Sequence, residues 1–287
     1  MVDWDELESP DDDYHEYERD QSIDEAKEDL QKFFKNPVER KDVFYVTQLQ
    51  VIFKRRHYHW ITYKAIVELV DEGILSDVIK PLREDQVKPG SPKVRFIFHP
   101  SCRSTTRTIN RKLRLIRKFS AEDVSRATGR YAEILFSRGL MMNGFRYVGE
   151  NMWEYGDRTW EGKSDLDYIF ERDNQTYGCE IKNRFEYMKR EVIAEKIEIR
   201  RRLGIIPLFI VREAPKSYIE TVRTGDPPGF TLVFDTHIYS QGQRSLVDEI
   251  QRVFKGTLPV DCPRDLPGSI INRFLKWHLK QIAQNTP

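Results

Sequence analysis

Residues 164–183 decide the fold of this chain, and their sequence is SDLDYIFERDNQTYGCEIKN. Two apolar runs flank a central Arg-Asp-Asn-Gln, whose composition is typical of a hairpin turn. Side chains alternate between the two faces of a strand, so Asp165 and Asp167 share one face of the first strand. By the same alternation, Glu180 and Lys182 share one face of the second strand. The stretch therefore predicts a β-hairpin that carries acidic and basic side chains on defined faces.

If the two strands pair, the side chains of Asp167, Glu180 and Lys182 converge in a small volume. Carboxylates packed together require a cation, and hard oxygen ligands suit Mg²⁺ or Mn²⁺. A lysine beside such a site can orient an attacking water or stabilise charge on a phosphate. Asp167 lies closer to the apolar part of its strand than Asp165 does. We therefore predict Asp167 as the main ligand, with Asp165 as an auxiliary or alternative ligand.

The length of 287 residues is sufficient for two domains, each with its own core. Hydrophobic residues make up 39% and charged residues 32%, which indicates a large charged surface. The sequence contains no run of about 18 apolar residues, and its N-terminus does not have the pattern of a secretory signal. Cys102, Cys179 and Cys262 have no zinc-binding or disulfide spacing. We expect an intracellular protein, cytoplasmic or nucleoid-associated, with no membrane partner.

The net charge of +1 conceals an asymmetry along the chain. Residues 1–29 contain 14 acidic and two basic residues, a balance of −12, so the remainder carries +13. We expect residues 1–22 to form a flexible acidic tail. Two interpretations of this tail stay open: it increases solubility, or it competes with nucleic acid for the basic remainder of the chain.

Residues 23–100 are predicted to have the order of elements of a winged helix-turn-helix. Apolar periodicity predicts helices over residues 23–34, 46–55 and 62–72, then a strand in LSDVIKPL, a turn at residues 88–92 and the strand KVRFIFH. A domain of this kind binds nucleic acid or, alternatively, another protein. The basic residues expected to contact nucleic acid here are Arg55, Arg56 and Lys64.

Residues 101–119 are predicted to form a basic helix that connects two domains. Ile109, Leu113 and Ile116 occupy one face of this helix, and cations recur every three or four residues along another. Like charges in a row repel one another, and a phosphate backbone would relieve that repulsion. We expect contact with nucleic acid, with a solvated linker as the alternative. The cations concerned are Arg103, Arg107, Arg111, Arg114 and Lys118.

Residues 120–287 are predicted to form an α/β domain. A helix over residues 121–143 carries Glu133 and precedes one or two strands in FRYVGENMWEY. The hairpin follows, then a helix over residues 187–203, the buried strand IPLFIV and the strand FTLVFDT. The remaining predicted helices cover residues 217–223, 243–256 and 268–283.

These features resemble the PD-(D/E)xK nuclease superfamily, whose restriction-endonuclease-like fold has an α-β-β-β-α-β core. The family's Asp matches Asp167 in SDLDYIF, and its (D/E)xK matches Glu180, Ile181 and Lys182 in CEIKN. The Glu that many members place on the first helix matches Glu133 in GRYAEILF. A leucine replaces the Pro of the family name. The chain is similar to this superfamily in the order of its elements and in the spacing of its motif.

The resemblance covers residues 120–211 and implies metal-dependent hydrolysis of phosphodiester bonds, with DNA as the expected substrate. RNA or single strands remain alternatives, as does a non-catalytic winged-helix DNA-binding protein with an inactive nuclease-like domain. The implied metal is Mg²⁺ or Mn²⁺. The implied catalytic residues are Glu133, Asp167, Glu180 and Lys182, and the implied metal ligands are Asp167, Glu180, the Ile181 carbonyl and Glu133.

The helix over residues 187–203 begins with Lys189 and Arg190, which we expect to contact nucleic acid. Interleaved acidic residues also fit an ordinary charged helix. A homodimer is compatible with this chemistry, because one active site cuts one strand of a duplex.

Overall fold

The computed structural model describes residues 16–83, 91–185 and 187–285. It contains helices together with mixed sheets, which confirms the predicted α/β class. None of the described helices combines the length and apolar character that crossing a bilayer requires. Residues 1–15 of the predicted tail and residues 88–90 of the predicted turn lie outside the described residues. The chain divides into unit 1, which comprises Met1–Val124 and Asp248–Leu258, and unit 2, which comprises Ser125–Val247 and Pro259–Pro287.

In unit 1, three helices and a three-stranded sheet enclose an apolar core. The central strand is antiparallel to both of its neighbours. Three helices precede the hairpin of the second and third strands, which is the order that the sequence predicts. The helices are α1 (Glu16–Lys35), α2 (Val46–Phe53) and α3 (His59–Asp71), and the strands are β1 (Val43–Tyr45), β2 (Ser76–Pro81) and β3 (Lys93–Phe98), in the order β1-β3-β2.

The predicted basic helix is α4 (Thr105–Phe119), which belongs to unit 1. Ile109, Leu113 and Ile116 are buried on one face. The predicted cations on the other side are exposed, which confirms the two-sided character of the helix. The exposed cations of α4 are Arg107, Arg111, Arg114 and Lys118; Arg103 is also exposed but precedes the helix, which begins at Thr105 instead of residue 101.

Lys112 is a buried cation on the apolar face of α4 that the sequence did not predict. Its ammonium lies 3.0 Å from Asp42 Oδ1, donates to the Val43 carbonyl, and sits 5.1 Å from the centroid of the Phe44 ring. Lys255 Nζ contacts Asp42 Oδ2 at 2.8 Å. The buried charge is therefore paired, and a residue from late in the chain completes the network.

Unit 2 is built on a five-stranded mixed sheet. Its first three strands along the chain pair in antiparallel fashion, and the third continues into a parallel ladder with the last two. A small separate hairpin interrupts the chain between the first and second of these strands. The main strands are β4 (Arg146–Met152), β7 (Leu166–Arg172), β8 (Gln175–Lys182), β9 (Ile206–Val211) and β10 (Phe230–Val233), in the order β10-β9-β8-β7-β4, and the small hairpin comprises β5 (Glu154–Tyr155) and β6 (Arg158–Thr159).

Helices cover both faces of this sheet. Tyr168 and Phe170 of β7 pack in the core that includes α5 (Glu122–Met142) and α9 (Gly268–Asn285). Ile169 of β7 packs on the other face against α6 (Arg190–Leu203). The remaining α-helices and strands of the described residues are α7 (Lys216–Arg223), α8 (Arg244–Val253), β11 (His237–Ile238) and β12 (Val260–Asp261), and the residues of α8 from Asp248 onwards belong to unit 1. Because Asp167 has the strand parity of Ile169, it projects towards α6.

The structure has the predicted hairpin turn, and its connection is two residues long. Arg172 pairs with Gln175 across the strands, so Asp173 and Asn174 alone make the connection. Both adopt positive φ, 49° and 58°, as a type I′ turn requires. Asx residues tolerate this conformation better than most, and the turn sets the register that places Asp167 opposite Glu180.

Several helix bounds differ from the predicted ones. α1 begins at Glu16 instead of residue 23, so residues 16–22 of the predicted flexible tail are helical. α3 begins at His59 instead of residue 62, and α6 begins at Arg190 instead of residue 187. Apolar periodicity marks the buried turns of a helix, whereas its terminal turns depend on local hydrogen bonding.

Candidate active site

The carboxylates of Asp167 and Glu180 lie where the ladder between β7 and β8 ends. Tyr168 and Cys179 are the last paired residues, and Asp167 and Glu180 come next beyond them. Opposite residues of an antiparallel pair project to the same face, which here is the face covered by α6. Beyond the last backbone pair, the Asp167 side chain accepts a hydrogen bond from the Ile181 N–H at 2.6 Å. Ligation by the Ile181 carbonyl stays a prediction.

Glu180 is fully buried, and two ammonium groups lie against its carboxylate. Lys182 Nζ is 2.6 Å from Glu180 Oε1 and 3.5 Å from Asp167 Oδ2, so it bridges the two acids. Lys196 Nζ, from α6, is 2.8 Å from Glu180 Oε2. Each of the two buried Glu180 oxygens is therefore in ion-pair contact with a lysine ammonium group. The structure thus brings Asp167, Glu180 and Lys182 together and adds a second lysine.

The surroundings affect the two carboxylates in opposite ways. Burial, reinforced by the Glu180 charge, raises the pKa of Asp167 to about 6, although Lys182 acts in the other direction. Burial would also raise the pKa of Glu180, but the charges of Lys182, Arg200 and Lys196 outweigh it and hold this pKa below its usual value. Burial would lower the pKa of Lys182, yet Glu180 and Asp167 raise it above its usual value. At neutral pH, Asp167 therefore carries a charge that its neighbours compensate only in part.

Arg200 is a second cation that α6 directs into the protein. It is fully buried, and its Nε donates to the Gly178 carbonyl of β8 at 2.7 Å. One terminal nitrogen donates to the Lys196 carbonyl, and the guanidinium lies 4.6 Å from the centroid of the Phe209 ring. These contacts tie α6 to β8 next to the acidic cluster.

The spacing of residues along α6 indicates that Lys196 and Arg200 are buried. Lys196 and Arg200 recur at helical spacing with Ile193, Ile199 and Leu203, all of which are buried. A cation inside an apolar stripe must find a buried partner. The spacing identifies the face of α6 on which the two cations lie. It does not identify their partners, Glu180 and Gly178, because these lie on β8.

Asp165 lies at the edge of the cluster. Its side chain is 46% exposed, whereas that of Asp167 is 16% exposed. Lys196 Nζ is 3.9 Å from Asp165 Oδ1 and donates a hydrogen bond to the Asp165 carbonyl. This geometry favours Asp167 as the principal acid and Asp165 as an auxiliary one.

Glu133 is joined to the cluster by none of the contacts described for residues 91–185 and 187–285. It pairs with Arg130 at 3.2 Å, and Arg130 also pairs with Glu150 at 3.1 Å and donates to the Tyr168 hydroxyl at 3.1 Å. Tyr168 follows Asp167 on β7 and therefore projects to the opposite face of the sheet. Metal ligation by Glu133 stays a prediction without a supporting contact.

Asn183 fixes the end of the strand that carries Lys182. It is buried, and its side-chain amide donates to the Ile238 carbonyl at 2.6 Å and to the Thr128 carbonyl at 3.3 Å. Its Oδ1 accepts the Ile238 N–H at 3.0 Å. Two-way pairing of this kind holds the backbone after Lys182 in place.

The residues predicted to bind nucleic acid differ in their surroundings. Arg56 pairs with Asp29 at 3.0 Å, and Lys118 pairs with Glu249 at 3.0 Å. Four arginines on α4 or just before it are exposed and form no ion pair with any residue of the described ranges. These four are Arg103, Arg107, Arg111 and Arg114. The other predicted contacts are also exposed, namely Arg55, Lys64, Lys189 and Arg190.

The cluster fits a small divalent cation bound by two carboxylates. Mg²⁺ is commonly held by one or two protein carboxylates and completes its shell with water and substrate phosphates. Asp167 and Glu180 supply two such groups, which lie opposite each other directly beyond the last paired residues of β7 and β8. In the part of the chain that the structure describes, no three His, Cys, Asp or Glu side chains gather as a metal site. A cation here would therefore depend on water and substrate for its remaining ligands.

Comparison with protein-family models, with curated proteins and with solved structures found no match to this chain.

Proposed function

We propose that this protein is a divalent-metal-dependent nuclease that hydrolyses phosphodiester bonds, with DNA as its substrate. One observation carries the proposal: Asp167 and Glu180 face each other at the end of a strand ladder, and Lys182 contacts both. Adjacent buried carboxylates repel each other, and a cation between them would relieve that repulsion. The order α5-β4-β7-β8-α6-β9 supports the superfamily resemblance that the motif suggests.

Each residue of the cluster has a distinct part in this chemistry. Asp167 and Glu180 would hold Mg²⁺ or Mn²⁺, which polarises a phosphate oxygen and lowers the pKa of its bound water. The Ile181 N–H keeps Asp167 oriented towards the cluster. Lys182 is 29% exposed and would orient the attacking water or stabilise negative charge on the phosphate.

The exposed arginines of α4 support nucleic acid as the partner. Arg107, Arg111 and Arg114 recur along one side of the helix, which advances about 1.5 Å per residue. Duplex DNA presents one negative charge per roughly 1.7 Å of its axis, so such a row can contact several phosphates at once. Release of condensed counterions then contributes to affinity without sequence preference.

The test compares matched duplex, single-stranded, branched and RNA substrates with and without Mg²⁺. Asp167→Ala, Glu180→Ala and Lys182→Ala should each abolish cleavage and leave nucleic-acid binding largely intact. For Lys182, the expected loss in rate is about 10²–10³-fold. Glu191→Ala is the matched control, because Glu191 is an exposed carboxylate on α6.

Two outcomes would refute the proposal. Full Mg²⁺-dependent cleavage by purified Glu180→Ala would remove the assignment of the cluster. Tight binding to every substrate without any cleavage would favour the alternative of a non-catalytic DNA-binding protein.

A further inference from the structure

Lys196 has no part in the chemistry proposed above, and yet it contacts both acid-bearing segments. Its Nζ lies 2.8 Å from Glu180 Oε2 and donates to the backbone carbonyl of Asp165. The side chain is only 8% exposed. A single ammonium group thus connects α6 to β8 and to the segment that leads into β7.

We propose that Lys196 is a positioning residue for the cation site. It holds Glu180 Oε2, so that Glu180 Oε1 is the oxygen left to bind the divalent cation. This inference rests on the proposed function, because it assigns the cation to one oxygen of the same carboxylate.

The two lysines differ in a way that separates their roles. Lys182 contacts Glu180 Oε1 and Asp167, and its side chain is 29% exposed, so it can turn towards solvent or substrate when a cation takes Oε1. Lys196 is more enclosed and is anchored on the Asp165 carbonyl as well as on Glu180. Lys182 is therefore the more exposed ammonium group of the pair, and Lys196 is the more enclosed one.

Arg200 fixes the part of α6 from which Lys196 extends. Its guanidinium donates to the carbonyls of Gly178 and Lys196, one on β8 and the other on α6. Gly178 precedes Glu180 by two residues on the same strand. The distance between Lys196 and Glu180 is thus set by a second connection, as a positioning role requires.

The test uses the full chain with Lys196→Met and Lys196→Arg, and with Arg202→Met as the matched control. Arg202 is an exposed cation on α6 whose described partner is Glu198 at 3.0 Å. Three quantities are measured: Mg²⁺ affinity by calorimetry without nucleic acid, the single-turnover cleavage rate, and the melting temperature. Lys196→Gln replaces Lys196→Met if the methionine variant does not fold.

Lys196→Met should lower the single-turnover rate about 10–100-fold, the usual effect of removing a group that orients a metal ligand. Its Mg²⁺ affinity should equal or exceed that of the wild type, because a positive charge beside the cation has been removed. Lys196→Arg should recover most of the rate, since it keeps the charge and the donors. Arg202→Met should change neither the single-turnover rate nor the Mg²⁺ affinity.

Three results are decisive. A wild-type cleavage rate in Lys196→Met would overturn the inference. So would a joint fall in rate, Mg²⁺ affinity and melting temperature that Lys196→Arg does not restore, because that pattern belongs to a packing role. If the wild type neither binds Mg²⁺ nor cleaves any substrate, the proposed function itself fails, and that failure is visible before any variant is made.

Discussion

Replacing Asp167 by Asn should stabilise the metal-free protein at neutral pH while abolishing cleavage. The amide oxygen of Asn can still accept the Ile181 N–H, and the side chain keeps its shape. The change removes a negative charge that faces both Glu180 and Lys182. Because burial and Glu180 raise the pKa of Asp167 to about 6 from an ordinary value of 3.8, that charge is unfavourable in the folded state.

The sign of the effect follows from proton binding. A carboxyl whose pKa is higher in the folded state holds its proton more tightly there than in the unfolded chain. Wild-type stability should therefore fall relative to the Asn variant as the pH rises from about 4 to about 6, and the difference should be complete above pH 6. The pKa shift of Asp167 corresponds to a difference of ~3 kcal/mol in the free energy of unfolding between the Asn variant and the wild type at neutral pH.

Thermal and urea unfolding with a chelator present would measure this difference at pH 7.5 and at pH 4. For a unit of this size, ~3 kcal/mol raises the melting temperature by about 6–12 °C. At pH 4 the gain should largely disappear, and added Mg²⁺ should stabilise the wild type but not the variant. Asp165→Asn is the matched control. The Asp165 side chain is 46% exposed, so this substitution should change the melting temperature little.

The reasoning is refuted if Asp167→Asn is no more stable than the wild type at pH 7.5. An equal gain at pH 4 and pH 7.5 would also contradict it, because the gain would then come from packing instead of charge.

Three further predictions concern other parts of the chain. Replacing Arg107, Arg111 and Arg114 by Gln should reduce the slope of log affinity for duplex DNA against log salt by about 0.9 per lost phosphate contact; an unchanged slope would exclude α4 from the interface. Lys112→Met should lower the free energy of unfolding by about 1–3 kcal/mol in urea titrations, because the buried Val43 carbonyl loses its donor while Asp42 keeps Lys255 as a partner; wild-type stability would contradict this account. Tyr177→Phe should cost about 1–3 kcal/mol in the same assay, because buried His278 loses its 2.6 Å hydrogen bond; wild-type stability would show that this bond is dispensable.

Sequence reasoning was most successful within single elements. The alternation along β7 and β8 places Asp167, Glu180 and Lys182 on one face, and the two-residue turn supplies their register. Along α4, helical spacing separates the buried Ile109, Leu113 and Ile116 from the exposed arginines. These predictions succeed because backbone geometry imposes the period of a strand or a helix, whatever the rest of the chain does.

Contacts between elements are where sequence reasoning was weakest. Glu133 is on the predicted helix, yet α5 places it in a network with Arg130 and Glu150. Lys112 looks like one more cation of a basic helix, but it is buried against Asp42.

By itself, the sequence determined the class of the fold, the strand faces and the acidic and basic groups available to a site. Only the tertiary structure decided which of those groups meet: Lys196 reaches Glu180 and Asp165 from another element, and Lys255 reaches Asp42 from late in the chain. The physical reason is that periodicity is a local property of the backbone. Distances between elements depend on strand order and helix packing, which spacing along the chain does not specify.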